Sequence, residues 1–272
     1  MPPSTHPSGP PRRPADWPPP HPEGTLMIDR VGEVVHVHLD RPDKLNALTM
    51  GMLDSLIGTA RMVRRDPTVR AVILSGQGEA FCAGLDLGRA LKDPVGIARR
   101  FVPRPWRGTN VFQEACWAWR RLPVPVVAAV HGHCLGAGLQ LALGADLRVS
   151  TPDARWSVRE THWGLTSDMS GTRSLSELVG LDVAQELTLS ARVLRGDEAA
   201  RLGLVTRVAD DPVAGAMDLL APILANDPRA VAAGKRLLTA ARTSSPRRAF
   251  ARERRAQLAL LARMDRRGLP GR

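Results

Sequence analysis

Apolar residues recur along the chain with two spacings, and their alternation indicates an α/β fold. Residues 27–39 alternate imperfectly between apolar and polar positions, and residues 71–75 form an apolar run, so both segments are predicted strands. Residues 50–64 have apolar positions at helical spacing. The order of strand, glycine-rich turn and helix returns over residues 126–143, and a further strand follows at 147–150. Strands that alternate with helices predict an α/β core.

The two ends of the chain depart from this pattern. Residues 1–24 are rich in proline and poor in aliphatic side chains, so they bury too little surface to offset chain entropy and are predicted to be disordered. Beyond Pro212 the strand pattern stops and three helices are predicted. These helices cover residues 213–225, 229–241 and 246–264. We therefore expect three regions: a tail at 1–24, a core at 25–210 and a C-terminal helical subdomain at 211–272.

The composition is typical of a protein from a reducing compartment. The 272 residues include three cysteines, an odd number without metal-ligand spacing: Cys82, Cys116 and Cys134. No apolar run approaches the roughly 20 residues of a membrane-spanning helix, and the N-terminus lacks an apolar signal-peptide core. The histidines at 131, 133 and 162 have no convincing ligand spacing either. We therefore expect a cytoplasmic protein without a metal site or a membrane anchor.

Two glycine-rich segments carry the candidate chemistry. Residues 76–87 (GQGEAFCAGLDL) and 130–141 (VHGHCLGAGLQL) each read as the end of a buried strand, a turn and the start of a helix. Glycine lets backbone N–H groups approach a ligand closely, and a helix N-terminus favours negative charge. Two such turns side by side could hold a thioester oxygen between them. Either turn alone could also be a simple strand-to-helix connection.

Taken together, these segments resemble the crotonase superfamily, the enoyl-CoA hydratases and isomerases. Three further motifs of that family stand in the expected order, at residues 41–48 (RPDKLNAL), 122–130 (LPVPVVAAV) and 200–205 (ARLGLV). The resemblance extends over about residues 25–260. It implies a crotonase-like ββα spiral core with a C-terminal α-helical subdomain, which covers the acyl-CoA site or packs onto a neighbour in a homotrimer or hexamer.

The resemblance also implies an oxyanion hole made by the backbone N–H groups of Leu85 and Ala137. Family members usually have glycine at the second of these positions, so Ala137 is a small departure that a backbone donor tolerates. The substrate would be an acyl-CoA thioester, and no cofactor beyond the coenzyme A of that substrate is expected.

The catalytic side chains implied by the family pattern are Gln140, Glu160 and Asp168. Hydratases of the family use two glutamates to orient water. The first of these positions is Gln140, which cannot accept a proton as a carboxylate does, and the second is Glu160. Asp168 lies eight residues beyond Glu160, a spacing that resembles 3,5-dienoyl-CoA to 2,4-dienoyl-CoA isomerases. In those enzymes the aspartate removes a proton from C2 and the glutamate delivers one to C6.

Structural roles compete with these assignments. Asp168 precedes a predicted helix and could be only its N-cap, and Glu160 could be a solvated side chain. Gln140 could be a helix-surface amide, although its register after the turn directs it towards the acyl group, where it could position a water molecule.

Binding of coenzyme A is implied at five positions: Arg41, Lys44, Ala83, Asp86 and Lys235. The carbonyl of Ala83 would accept a hydrogen bond from the adenine amino group, and the three cations match family positions near the nucleotide. The formal charge of +11 suits a phosphate-bearing ligand, although each cation could equally be solvated surface. Residues 88–111 mix apolar side chains with arginines and are expected to form a mobile wall of the acyl pocket.

The arginine-rich segment 247–267 raises a second class of function, because basic helices attract phosphate backbones and one branch of the superfamily binds AU-rich RNA. The intact acyl-CoA motifs favour an enzyme instead.

The leading interpretation is isomerisation of an enoyl- or dienoyl-CoA double bond. Hydration of a 2-enoyl-CoA is the main alternative, and a non-catalytic acyl-CoA-binding protein is a weaker one.

Overall fold

The computed structural model describes residues 26–263, so the predicted N-terminal tail and residues 264–272 lie outside the described part of the chain. The strands are β1 (Leu26–Val31), β2 (Val34–Leu39), β3 (Ala71–Gly76), β4 (Val126–Val130), β5 (His133–Leu135), β6 (Leu147–Ser150), β7 (Arg155–Ser157), β8 (Leu194–Arg195) and β9 (Arg207–Val208). The helices are α1 (Met50–Arg65), α2 (Leu87–Ala90), α3 (Pro94–Phe101), α4 (Val111–Arg120), α5 (Ala137–Leu143), α6 (Gly171–Val179), α7 (Leu181–Ser190), α8 (Gly196–Arg201), α9 (Pro212–Leu224), α10 (Pro228–Ala241) and α11 (Pro246–Leu261). Two 3-10 helices span Pro42–Lys44 and Glu160–Trp163.

Six strands form the main sheet, in the order β1-β2-β3-β4-β6-β9. Strands β2, β3, β4, β6 and β9 are parallel, and β1 is antiparallel to β2. A smaller sheet of β5, β7 and β8 stands beside it. The carboxyl ends of parallel strands meet at one edge of a sheet, so the turns after β3 and β4 emerge side by side. Ligands of open α/β sheets bind at this edge.

The main sheet is buried on both faces, which explains the continuous apolar runs in β3 and β4. One face packs against α1, α4 and α5 around large buried side chains such as Trp119 and Phe81. The other face carries Ile73 and Val127 and is covered by α9 through Ala216 and Leu220. The predicted α/β core is therefore confirmed.

The segment predicted as one strand over residues 27–39 is instead a hairpin. Strands β1 and β2 pair in antiparallel register, with Val31 opposite Val34. Gly32 begins the intervening two-residue turn with a φ of 59°, a backbone conformation that suits glycine. The prediction was wrong because the core-facing positions change phase at the turn. They are Leu26 and Ile28 in β1 and Val35, Val37 and Leu39 in β2.

Helices α9, α10 and α11 match the three predicted C-terminal helices, although the predicted end at Met264 lies outside the described residues. Helices α10 and α11 pack against each other. No residue of α11 is buried, and apolar side chains of this hairpin stay exposed: Leu238, Phe250, Leu258 and Leu261. No helix within residues 26–263 is both long and apolar enough to cross a membrane.

A buried polar cluster on β1, β2 and β3 makes stability depend on pH. His36 Nε2 lies 2.8 Å from Ser75 Oγ, and the ring of His36 stacks on His38 at a centroid distance of 3.7 Å. His38 in turn contacts Asp29. Burial, reinforced by the charge of His38, lowers the pKa of His36 from 6.5 to about 3. Protonation of His36 therefore favours the unfolded chain.

We expect the free energy of unfolding to fall as pH decreases from 7 to 5. The unfolded His36 gains its proton below pH 6.5 and the folded one does not until about pH 3. His36 thus removes about 2 kcal/mol over this range. The His36→Gln variant should lose correspondingly less in urea denaturation at the two pH values. His162→Gln, at an exposed position, serves as the control, and equal losses in all three proteins would contradict the assignment.

Candidate active site

The two glycine-rich turns lie against each other, as the sequence predicted. Cys82 N donates to His133 O at 2.8 Å, and Leu135 N donates to Cys82 O at 3.0 Å. Gly138 makes this approach possible, because a Cβ at that position would lie 2.4 Å from Cys82 O. The backbones of the two turns are therefore in direct contact.

Two backbone N–H groups at this junction are available to a ligand. Ala137 is the first residue of α5, so its N–H has no acceptor within the helix. Leu85 follows Gly84, whose φ of 114° turns the chain at the cavity wall. Neither N–H donates to a backbone carbonyl within residues 26–263. Because both residues line the same cavity, the junction can bind an oxygen that carries negative charge.

The cavity beside the turns has a volume of about 410 Å³ and is mostly apolar. The wall predicted for residues 88–111 is present and includes Ile97 and Phe101 of α3. Phe101 also packs on Phe112 of α4, with ring centroids 4.9 Å apart. At the mouth lie Trp163, which is 65% exposed, and Leu165. The space suits a flexible apolar chain whose polar end reaches the turns.

Both predicted carboxylates line this cavity. Glu160 begins the 3-10 helix after β7, and Asp168 lies in the loop before α6. Within residues 26–263 neither has an ion-pair partner, and Glu160 Oε2 is buried without a hydrogen bond. Burial raises the pKa of Glu160, and the charge of Asp168 raises it further against the hydrogen bond from Gln140. Burial also raises the pKa of Asp168. Because their pKa values are raised and they form no ion pairs with the described residues, these carboxyl groups can bind and release protons during a reaction.

The N-cap alternative for Asp168 is wrong. The residue that precedes α6 is Ser170, in a left-handed conformation with a φ of 72°, and no side chain of the described residues 26–263 caps the helix. Asp168 stands two residues earlier and faces the cavity. Its carboxylate is therefore free of the structural role that competed with catalysis.

Gln140 does not face the acyl group as predicted, nor is it a surface amide. It is 1% exposed, and its Nε2 donates to Glu160 Oε1 at 2.6 Å. Its Oε1 accepts hydrogen bonds from Met169 N at 2.8 Å and Gly171 N at 2.9 Å. Direct contact between Gln140 and Glu160 leaves no space for water between them. Gln140 therefore lies behind Glu160 and joins it to the loop that carries Asp168.

Four of the five predicted coenzyme A positions lie at the first turn. Ala83 lines the cavity, and its N–H donates to Leu45 O at 2.9 Å. Arg41 pairs with Asp86 at 3.2 Å, and Lys44 is exposed in the neighbouring 3-10 helix. These side chains leave cationic groups beside the cavity but outside its lining.

Lys235, which was predicted to lie near the nucleotide end of coenzyme A, is not at the first turn. Its Nζ contacts Asp146 Oδ2 at 2.5 Å and Val124 O at 2.8 Å. These partners precede β6 and β4, at the edge of the sheet opposite the turns. Lys235 instead ties α10 to that edge through a buried ion pair.

The sequence did not single out Arg159, a cation that lines the cavity next to Glu160. Its position beside a candidate catalytic residue was the only available signal. Within residues 26–263, no group of three or more His, Cys, Asp or Glu side chains is arranged to hold a metal ion.

The chain is similar to known proteins over most of its length. Residues 29–270 match the family described as enoyl-CoA hydratase/isomerase. A mitochondrial Δ(3,5)-Δ(2,4)-dienoyl-CoA isomerase from Mus musculus is 34% identical over 74% of this chain, but the match spans only 64% of the mouse protein. A short-chain-enoyl-CoA hydratase from Clostridium acetobutylicum is also 34% identical, over 78% of this chain and 80% of that protein.

The fold is also similar to that of solved structures. A Thermobifida fusca protein in complex with acetoacetyl-CoA is 33% identical, with a TM-score of 0.78 over 88% of this chain and 95% of that one. An enoyl-CoA hydratase from Mycobacterium smegmatis is 32% identical, with a TM-score of 0.76 over 89% of this chain and 91% of that one. An isomerase and a hydratase are thus equally similar in sequence, so the distinction between the two reactions depends on the side chains at the site.

Proposed function

The chain belongs to the enoyl-CoA hydratase/isomerase family and has its crotonase-like α/β fold, and we propose that it isomerises a double bond of an enoyl- or dienoyl-CoA. Asp168 acts as the base and Glu160 as the acid. The backbone N–H groups of Leu85 and Ala137 form the oxyanion hole. Ala83, Arg41, Asp86 and Lys44 lie where the first turn meets the coenzyme A portion of the substrate.

The arrangement of Gln140, Glu160 and Asp168 carries this proposal. Two carboxyl groups without cationic partners in the described residues share an apolar cavity with two available N–H donors. A hydratase needs a second carboxylate at position 140 to orient water. Here that position is Gln140, which donates a hydrogen bond directly to Glu160. Proton transfer between two carbons therefore fits the site better than addition of water.

The proposed reaction moves protons only. Asp168 takes a proton from the carbon next to the thioester carbonyl, and the electron pair passes to the carbonyl oxygen. Hydrogen bonds from Leu85 and Ala137 stabilise the resulting enolate. Glu160 then gives a proton to the distal carbon, and the double bond shifts. Afterwards Asp168 loses a proton and Glu160 regains one through solvent at the exposed mouth, so the reaction is redox-neutral.

The decisive experiment compares 2-enoyl-, 3-enoyl- and 3,5-dienoyl-CoA of one chain length by ultraviolet absorbance. We expect a conjugated dienoyl thioester to appear from the third substrate with little loss of the first. Asp168→Asn should lower the isomerisation rate by about 100-fold or more, because the base is lost. The matched control is Asp182→Asn, at an exposed position on α7. Normal turnover by a folded Asp168→Asn protein would remove Asp168 from the mechanism.

Hydration of a 2-enoyl-CoA is the second candidate. It is favoured by Oε2 of Glu160, which has no hydrogen-bond partner within residues 26–263 and is left for a water molecule, and by the hydratase relative from Clostridium acetobutylicum. Rapid loss of the 2-enoyl absorbance in the same assay would establish hydration and displace the isomerase proposal.

Assembly into a homotrimer or hexamer remains a proposal. It is supported by the α10–α11 hairpin, whose apolar side chains lack a cover among the described residues. The exposed arginines of α11 sit on the same hairpin, and we assign them to solubility rather than to RNA.

A further inference from the structure

The amide of Gln140 has its orientation fixed by two backbone groups. Met169 N and Gly171 N both donate to it, so the atom they approach is the oxygen. The amide NH₂ must then point to Glu160 Oε1. Gly171 allows this approach, because a Cβ there would lie 2.6 Å from Gln140 Cγ and from its Oε1.

From this geometry we propose that Gln140 is a positioning residue, which holds the Glu160 carboxyl group through Oε1 and so directs its proton to Oε2. Glu160 Oε1 accepts the amide hydrogen, and the carbonyl oxygen of a neutral carboxyl group is the better acceptor. The proton therefore resides on Oε2, which is buried and has no hydrogen-bond partner within residues 26–263. The inference rests on the proposed isomerase function.

An amide side chain can donate a hydrogen bond to Glu160 Oε1 without competing for the proton of Glu160. A carboxylate at position 140 would accept from Met169 N and Gly171 N, but it could donate to Glu160 only after binding a proton itself. It would also add a negative charge beside Asp168 and Glu160. The neutral amide holds the acid in place and leaves the proton with Glu160.

The same side chain sets the spacing between acid and base. The amide nitrogen of Gln140 donates to Glu160, and its amide oxygen accepts from Met169 N, directly after Asp168. A shift of this loop relative to Glu160 would move the base away from the acid. Misplacement of reacting groups by about 1 Å can cost about 100-fold in rate.

Three titratable groups face Glu160 and must be considered in any pH experiment. Asp168 and Arg159 line the same cavity as Glu160, and Arg159 precedes Glu160 in the chain. The buried thiol of Cys116 on α4 lies close enough that the charges of Asp168 and Glu160 help to raise its pKa, after burial itself. None of these groups changes in the variants below.

The test measures protonation of Glu160 directly. In the Gln140→Met variant the donor is lost, and because that hydrogen bond favours the carboxylate, the pKa of Glu160 should rise. The Gln140→Glu variant keeps an acceptor oxygen for both N–H groups of the loop and adds a like charge, which should raise the pKa of Glu160. Infrared titration follows the C=O band of the protonated carboxyl group, which is assigned to Glu160 by subtracting the Glu160→Gln spectrum. The pH midpoint of this titration gives the pKa of Glu160.

Kinetics supply the second readout. We expect kcat of Gln140→Met to fall about 10- to 100-fold with KM nearly unchanged, because Gln140 does not line the cavity. The alkaline limb of kcat/KM should move to higher pH, since Glu160 keeps its proton longer. The matched control is Gln185→Met, at an exposed position on α7, which should change neither quantity.

The outcomes separate the inference from the proposed function. An unchanged infrared midpoint in the folded variants, with isomerase activity in the unchanged protein, would overturn the role of Gln140 alone. If Gln140→Met fails to fold, Gln140→Glu decides, because it preserves the hydrogen bonds to the loop. Absence of isomerisation by the unchanged protein would overturn the proposed function, whatever the midpoint does.

Discussion

Replacing Glu160 with glutamine is expected to lower isomerisation by about 10²- to 10⁴-fold, the range for loss of a positioned acid. Glutamine has nearly the same shape, and its oxygen can still accept the hydrogen bond from Gln140. An amide N–H at the position of Oε2 is far too weak an acid to protonate the distal carbon. The loss should therefore appear in kcat, while KM for the thioester stays close to that of the unchanged protein.

The same variant separates the two half-reactions. Removal of the proton next to the carbonyl needs Asp168 and the oxyanion hole, and neither is altered by Glu160→Gln. In D₂O the substrate should therefore still take up deuterium at that carbon, as measured by NMR, although the double bond no longer moves. Asp168→Asn should lose both the exchange and the shift. Glu253→Gln, at an exposed position on α11, is the control. Full isomerisation by a folded Glu160→Gln protein would exclude Glu160 as the acid.

Features that depend on neighbouring residues in the chain could be predicted from the sequence. The turn around Gly84 and the turn around Gly136 are local, because their strands, glycines and helices follow one another directly. Parallel strands then place both turns at one edge of the sheet. The side-by-side turns, and the positions of Leu85 and Ala137, follow from this local information together with the family pattern.

Contacts between distant residues could not be predicted in the same way. Lys235 pairs with Asp146, 89 residues earlier in the chain, and neither residue has a spacing that indicates the other. Gln140 was placed correctly on the helix after the second turn, yet its partners lie 20 to 31 residues further on. Helical register gives the direction of a side chain but not the loop that folds over it.

The β1–β2 hairpin is a different case, because its signal was present. Gly32 and Glu33 form a two-residue turn between apolar segments, and glycine at the first position suits such a turn. Apolar residues on both sides of the turn, Val31 and Val34, concealed it. The burial of His36 follows from this hairpin, since β2 places it against Ser75 of β3. The burial of His36 could therefore not be predicted while residues 27–39 were taken as one strand.

Replacing Ala137 with proline is expected to reduce kcat by about 10²- to 10³-fold, the usual cost of losing one oxyanion-hole donor. Proline has no N–H, and its ring would occupy the space into which that N–H points. Ala137 is the first residue of α5, where proline suits the helix because no intrahelical hydrogen bond is lost. Gly136 has a ψ of −118°, the mirror image of an extended conformation, which an achiral residue before proline can adopt.

Stability and activity should therefore separate in this variant. The thermal midpoint should stay within about 4 °C of the unchanged protein, corresponding to about 1 kcal/mol, while isomerisation and deuterium exchange both fall because enolate formation itself is impaired. Ala137→Gly keeps the N–H and is the matched control, with activity expected within about threefold. Equal losses in the proline and glycine variants would assign the effect to the methyl group or the backbone. A folded Ala137→Pro protein with normal exchange would instead show that this N–H does not stabilise the enolate.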